Sequence, residues 1–236
     1  MKYINKGLVI ILALFILITG SGFDNMAWTY VIQNVYSGDP FTTPWLYDNA
    51  REVWDYFTGS GFTEEATAGM MGNMTYEGGF NPGQVEIGKP IADPSSGRGL
   101  IGWTPGTKII NYAASLGTNW YDGPTQCQFL RDVPSQNFLP NSAAGYNYSW
   151  SQFSQLTDIS VAALAFLFEA ERPADQGHAQ QQRRITAAYN WYNEFSGSPT
   201  PVPPDPPIPP TPQPPGTMDM KLYGGRDVMR RLWFKK

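Results

Sequence analysis

Residues 68–86 read AGMMGNMTYEGGFNPGQVE, and residues 97–105 read GRGLIGWTP. Thr63 has a side chain suited to cap a helix, and acidic residues follow it, where the helix dipole favours negative charge. We therefore predict a helix with its body over Ala66–Tyr76, ended by Gly78 and the glycine after it. The glutamate between them, Glu77, would lie in the last turn of that helix.

The surroundings of Glu77 suit a carboxyl group that keeps its proton near neutral pH. The negative end of a helix dipole disfavours the carboxylate, and Met74, Tyr76 and Phe80 would shield the group from water. Both effects raise the pKa, as general acid catalysis requires. A glutamate before two glycines at a helix end also fits a structural role, so these residues alone leave both interpretations open.

The order of residues in both stretches resembles a known enzyme family. The pattern Ala-Gly-x-x-Gly-Asn-Met-x-x-Glu-x-Gly-x-Asn-Pro, followed by Gly-Leu-x-x-Trp, is similar to that of the phage tail lysozyme domain family. It also resembles the active-site segment of goose-type lysozymes and soluble lytic transglycosylases. Weaker similarity covers Thr125–Leu130 and the Phe166–Pro173 element, so the resemblance extends over about residues 48–195.

The resemblance implies cleavage of the glycan strands of peptidoglycan, with Glu77 as the general acid that protonates the glycosidic oxygen. It implies no cofactor and no metal. Candidate substrate-binding residues in the glycan groove are Tyr76, Asn81, Gln84, Arg98, Gly99 and Trp103. This chain departs from the family at Gly102, where glutamine is common.

A second catalytic carboxylate is needed for hydrolysis and not for the lytic transglycosylase reaction. Inversion requires a base about 6.5–9.5 Å from the acid, and retention a nucleophile about 5–5.5 Å away. The candidates are Glu86, Asp93 and Glu171, and Glu171 also fits a structural ion pair. A further alternative is a catalytically degenerate module that binds the cell wall, which Gly102 favours.

The predicted fold class is mainly α, a lysozyme-like helical domain over residues 48–196 after a connecting segment, 23–47. Further helices are expected from Asp48 to Gly59, from Pro105 to Gly117, over Thr125–Val133, over Ile159–Glu169 and over Ala179–Phe195. Asp158 is the expected cap of the helix that begins at Ile159. Residues 134–157 are expected to form a long loop.

Composition excludes several other kinds of site. The chain contains one cysteine, Cys127, and one histidine, His178. No intramolecular disulfide can form, and the usual zinc hydrolase site needs more such ligands. The two residues also lie in unrelated segments, which argues against a thiol–imidazole pair. The acidic main body argues against nucleic acid as a partner, because binding phosphates needs cationic surface.

The two ends of the chain predict appendages. Lysines before an apolar run within residues 1–22 are typical of a signal peptide or signal anchor. Residues 199–215 contain eleven prolines, so we expect a disordered linker over 197–216. The basic, aromatic tail over 217–236 fits a contact with an anionic membrane or wall polymer, and equally a disordered tail that keeps the protein soluble. We therefore expect action outside the cytoplasm, membrane-anchored, secreted or virion-associated, with peptidoglycan as partner and a phage or conjugation envelope machine as context.

Overall fold

The computed structural model of the chain describes residues 28–140 and 144–197. Within these ranges the α-helices are α1 (Pro44–Gly59), α2 (Glu64–Met74), α3 (Thr107–Ser115), α4 (Gly123–Asp132), α5 (Pro134–Asn137), α6 (Trp150–Phe153), α7 (Ile159–Phe166) and α8 (His178–Phe195). A π-helical turn, Leu167–Glu171, continues α7. Extended pairing in the same ranges is confined to isolated bridges, such as Val85 with Arg98. The predicted mainly α fold is confirmed.

The side-chain caps predicted from sequence form as expected. The hydroxyl of Thr63 accepts a hydrogen bond from the amide of Ala66 at 3.1 Å. The carboxylate of Asp158 accepts one from the amide of Val161 at 3.0 Å. Both bonds satisfy amides that have no partner inside the helix, which fixes where α2 and α7 begin.

Several predicted boundaries are wrong. Helix α1 begins at Pro44 instead of Asp48, because proline fits the first turn, where its missing amide proton costs nothing. Helix α2 ends at Met74, before Tyr76, and the chain continues in tight turns. Helix α3 begins at Thr107, two residues after Pro105.

The predicted helix over Ile159–Glu169 is α-helical only to Phe166 and then widens into the π-helical turn. The predicted long loop over residues 134–157 contains two short helices, α5 and α6. A reciprocal capping box between Ser149 and Gln152 opens α6, a signal that the sequence analysis missed.

Helix α2 packs between α7 and α8, and two of its glycines make this close approach possible. A Cβ atom on Gly69 would lie 2.5 Å from the Cβ atom of Ala162 in α7. A Cβ atom on Gly72 would lie 2.4 Å from the carbonyl oxygen of Arg184 in α8. The buried side chain of Asn73 donates to the carbonyl oxygen of Ala163 at 2.8 Å, which joins α2 to α7.

Most of the aromatic side chains in the described ranges belong to the hydrophobic core or pack against it. Phe57, Phe80 and Trp191 are fully buried, and the indole N–H of Trp191 donates to the Thr75 hydroxyl at 2.8 Å. Trp191 stacks on Phe41 with ring centroids 4.0 Å apart. This cluster connects α8 to the turn that follows α2, so α8 and that turn hold fixed positions relative to each other.

Residues 28–43 are packed against the domain although their sequence shows little pattern. Asn49 bonds to the main chain of Thr29, and Asn81 bonds to both main-chain groups of Val31.

The expected N-terminal apolar helix (1–22) and basic tail (217–236) lie outside the described residues, as does the proline-rich linker from Ser198 onward. Across residues 28–140 and 144–197, none of the helices combines the length and apolar character needed to span a bilayer.

Candidate active site

A cleft of about 480 Å³ opens beside the turn that follows α2. One wall contains Tyr76 and Glu77 from this turn, and another contains segments 84–87 and 97–104. The third wall is formed by α5 together with residues 170–173 at the end of the π-helical turn. The cleft thus brings together both sequence stretches that carry the family pattern.

Glu77 lies in a turn whose backbone has an unusual shape. The residues at 79 and 80 both have positive φ, +58° and +63°, so the chain reverses immediately after the glutamate. A Cβ atom on Gly78 would lie 2.5 Å from the carbonyl oxygen of Gly99, so only glycine allows these two segments to touch. The glutamate follows α2 instead of ending it, which corrects the predicted location, and the turn holds it in the cleft wall.

The carboxyl group of Glu77 is partly shielded and has a basic partner. Its Oε1 accepts a hydrogen bond from Nη2 of Arg184 at 2.7 Å, and 25% of the glutamate side chain remains exposed. Burial raises the pKa of this carboxyl above its usual value, while Arg184 and Arg183 act in the opposite direction. The direction agrees with the raised pKa expected from sequence, and burial is its main cause.

Glu171 lies in the same cleft, at the end of the π-helical turn. Its Oε1 is shielded from solvent and has no hydrogen-bond partner among the described residues. Burial raises the pKa of Glu171 well above the usual value, the charge of Glu77 adds to this, and Arg184 opposes it. The two carboxyls and Arg184 therefore form one electrostatic cluster.

The other two candidate carboxylates differ in position. Glu86 lines the cleft and is exposed, and its Oε2 accepts a hydrogen bond from the amide of Gly97 at 3.2 Å. Asp93 lies outside the cleft lining, and its Oδ1 accepts from the amide and hydroxyl of Ser95. These bonds to Ser95 lower the pKa of Asp93, as in a local turn.

Among the predicted groove residues, Tyr76, Gln84, Gly99 and Trp103 line the cleft. Tyr76 is 40% exposed, with the guanidinium of Arg183 over its ring at 4.3 Å. The buried indole N–H of Trp103 donates to Asn137 at 2.8 Å. These two aromatic residues differ in their environment, since Tyr76 is partly exposed beside Arg183 and Trp103 is buried in the cleft wall.

Three predicted groove side chains are already bonded within the protein. Asn81 is fully buried and holds the main chain of Val31. Gln84 accepts from the Ser37 hydroxyl, and its amide donates to the carbonyl oxygen of Val85. Arg98 donates to the carbonyl oxygens of residues 91 and 93 and lies over the Trp120 ring at 4.7 Å. Each of the three fixes the loops that shape the cleft.

Gly102 is the position at which the family resemblance led us to expect glutamine. It has a φ of +62°, and a Cβ atom there would lie 3.8 Å from Oε2 of Glu77. A longer side chain at this position would begin directly beside the carboxyl group. Glycine therefore leaves the space in front of Oε2 open.

Comparison with known proteins agrees with this arrangement. The family model described as phage tail lysozyme matches residues 48–195. The chain belongs to the phage tail lysozyme family. It is also 31% identical over 151 residues to Morphogenesis protein 1 of Bacillus phage B103, a match that covers 63% of this chain and 40% of that protein. The resemblance predicted from sequence is thus confirmed, and the chain spans less than half of this relative.

Arg184 is the site residue of this phage tail lysozyme domain that the sequence analysis missed. It is 2% exposed, on the same face of α8 as the buried residues Ala188, Trp191 and Tyr192. The helical spacing predicts an apolar residue at this position, and the sequence has an arginine instead. Because a buried cation needs an anionic partner, this arginine could have been predicted to pair with an acidic residue.

The remaining reactive side chains lie away from this site. Cys127 is buried in α4, and burial raises the pKa of its thiol. His178 is exposed at the first residue of α8. Among the described residues, no group of three or more histidine, cysteine or acidic side chains is arranged to hold a metal ion.

Proposed function

We propose that this chain cleaves the glycan strands of peptidoglycan, with Glu77 as the general acid. The observation that carries the proposal is the placement of Glu77 in the cleft wall, with Oε1 bonded to Arg184 and Oε2 facing the space that Gly102 leaves open. Membership of the phage tail lysozyme family supports the same substrate class.

The geometry suggests how the acid works. Arg184 occupies Oε1, so the transferable proton is expected on Oε2, next to the open part of the cleft. Burial favours the protonated form, and proton donation to the glycosidic oxygen is the step that a raised carboxyl pKa assists. Activity should therefore fall as the pH rises through the raised pKa of Glu77.

The reaction is expected to finish by hydrolysis, with Glu86 as the candidate base. Of the three predicted second carboxylates, Glu86 alone is both exposed and in the cleft lining, so water can reach it. Glu171 is shielded beside the Glu77–Arg184 pair, which favours a different role. The lytic transglycosylase route is the second candidate, because it needs no second carboxylate. The burial of Glu171 and the position of Asp93 favour it, since they leave Glu86 as the one predicted carboxylate able to act as a base.

The direct test uses the purified chain on insoluble peptidoglycan. Wild type should release soluble fragments, and Glu77→Gln should release almost none, because glutamine keeps the shape and cannot donate the proton. Glu194→Gln is the matched control, since Glu194 contacts Tyr47 and lies outside the cleft lining. Equal release by wild type and Glu77→Gln would rule out Glu77 as the acid.

Product analysis separates the routes. Mass spectrometry of the released fragments should find reducing ends if water completes the cleavage, and anhydro-muramic ends if the sugar's own hydroxyl does so. Glu86→Gln should abolish the first outcome and leave the second unaffected. Binding of wild type to insoluble peptidoglycan without any release would identify the degenerate wall-binding module instead.

The biological setting follows as a further part of the proposal. A phage relative and a phage tail lysozyme domain support action outside the cytoplasm on a virion or envelope machine that locally breaches the wall. Membrane contact through residues 1–22 or the basic tail stays a prediction. Vesicle flotation with and without anionic lipid, using the full chain and a variant lacking residues 217–236, tests the contribution of the tail.

A further inference from the structure

The cluster of Glu77, Arg184 and Glu171 contains an unmatched donor and an unmatched acceptor. Arg184 uses Nη2 for Glu77 and Nη1 for Gln180, both within 2.9 Å. Its Nε is buried and has no partner among the described residues, and the same is true of Oε1 of Glu171. A buried arginine N–H and a buried carboxyl oxygen without partners are each costly, so their occurrence in one cluster requires an explanation.

The backbone places Glu171 there at a cost. Glu171 is the last residue of the π-helical turn, a rare structure that is frequent at functional sites. Arg172 follows in the left-handed region with a φ of +47°, which strains a residue that has a side chain. Two local departures from helical geometry thus adjoin each other, at Glu171 and at the residue after it.

Charge balance explains why both carboxyls are present. With both ionised, the buried cluster would carry a net charge of −1, and burying an unbalanced charge is expensive. One proton shared between the two carboxyls makes the cluster neutral. Without Glu171, Arg184 would already balance an ionised Glu77, and only burial would still favour the protonated form of Glu77.

We propose that Glu171 is a positioning residue of this active site, which shares Arg184 with Glu77 so that the three side chains together retain the one proton that Glu77 delivers. This inference rests on the proposed function of Glu77.

Other charged or titratable groups adjoin the cluster or line its cleft and also affect its pH dependence. They are Tyr76, Glu86, Lys108, Arg172 and Arg183.

The cluster changes in a defined way during the reaction. Oε2 of Glu77 gives its proton to the glycosidic oxygen while the bond between the sugar carbon and that oxygen breaks, and the bonding electrons stay on the oxygen. Arg184 then balances the new Glu77 carboxylate. The water that attacks the sugar carbon leaves its hydroxyl there and passes its other proton to Glu86. Glu86 then releases a proton to solvent and Glu77 takes one up, which restores the neutral cluster.

Titration of the wild-type chain tests the proposal without relying on any variant. Carboxyl ¹³C signals of Glu77 and Glu171, in protein labelled at glutamate, should each respond at both ionisation steps, because the two groups share protons. Independent single-step curves for the two glutamates would overturn the proposal.

Activity profiles add a second measurement. In Glu171→Gln the negative neighbour is absent, so the fall in activity at high pH should begin about one pH unit or more lower than in wild type. Arg184→Met removes the positive neighbour and should move this fall to higher pH. The double variant should lie between the two single variants, and Glu194→Gln should match wild type.

The outcomes separate this inference from the proposed function. If Glu77→Gln is inactive but Glu171→Gln keeps the wild-type pH profile, Glu77 remains the acid and the positioning role of Glu171 is wrong. If Glu77→Gln is fully active, the proposed function fails. In that event coupled titration curves would still establish the shared proton, although not its use in catalysis.

Discussion

Replacing Gly72 with alanine tests whether close packing of α2 against α8 sets the geometry of the active site. A Cβ atom on Gly72 would lie 2.4 Å from the carbonyl oxygen of Arg184 and 2.8 Å from the Cβ atom of Ala188. Neither contact can relax by rotation of a flexible side chain. The two helices must move apart, and the residue displaced first is Arg184, the partner of Glu77.

Two opposing effects determine the magnitude. Alanine in place of glycine inside a helix gains roughly 0.5–1 kcal/mol. Overpacking a tight core contact costs roughly 1–3 kcal/mol, and a backbone contact this short belongs at the upper end. The expected net loss is about 2 kcal/mol, which for a domain of this size lowers the Tm by about 4–8 °C.

Thermal unfolding followed by circular dichroism provides the measurement, with Gly59→Ala as the matched control. Gly59 is also in a helix, and a Cβ atom there would meet nothing within 4 Å. The control should lose no stability and should keep full peptidoglycan cleavage, while Gly72→Ala should lose both stability and activity. A Gly72→Ala protein as stable as the Gly59→Ala protein would refute the packing argument.

Two further predictions concern single residues. Gly102→Ala and Gly102→Gln should each lower the free energy of unfolding, measured in urea, by about 1 kcal/mol. The φ of +62° strains any residue with a Cβ atom, while the space beyond the Cβ atom is open, so the two variants should lose similar amounts. Full stability of both variants would contradict this. Cys127 should resist a chromogenic thiol reagent at pH 8 in the folded protein and react once the protein is unfolded, because burial raises the pKa of the thiol and blocks access. Rapid labelling without denaturant would show that α4 opens in the native state.

Local sequence signals were enough for much of the helical framework. Thr63 and Asp158 cap their helices as their side chains predict, since a cap depends only on residues three positions away. The start of α1 and the existence of α6 were predicted wrongly although each has a local signal. The signal is a proline in the first turn of α1 and the capping box that opens α6. The π-helical turn had no such signal.

The candidate site divides in a similar way. The pattern around Glu77 identified the family, and Glu77, Tyr76 and Trp103 line the same cleft. Asn81 belongs to the same pattern and Arg98 lies directly before its second part, yet both bond to main-chain groups within the protein. A sequence pattern shows that a residue type is required at a position. It does not show whether the residue is required to hold a loop in place or to contact the substrate.

From the sequence alone it follows that a helix ends close to a glutamate whose neighbours favour its protonated form. Which charged groups surround that glutamate depends on the tertiary fold. Arg184 is 107 residues away along the chain, and Glu171 reaches the cleft through a π-helical turn and the strained Arg172. Charges act through space and depend on burial, so the proton affinity of Glu77 is set by residues that only folding brings together.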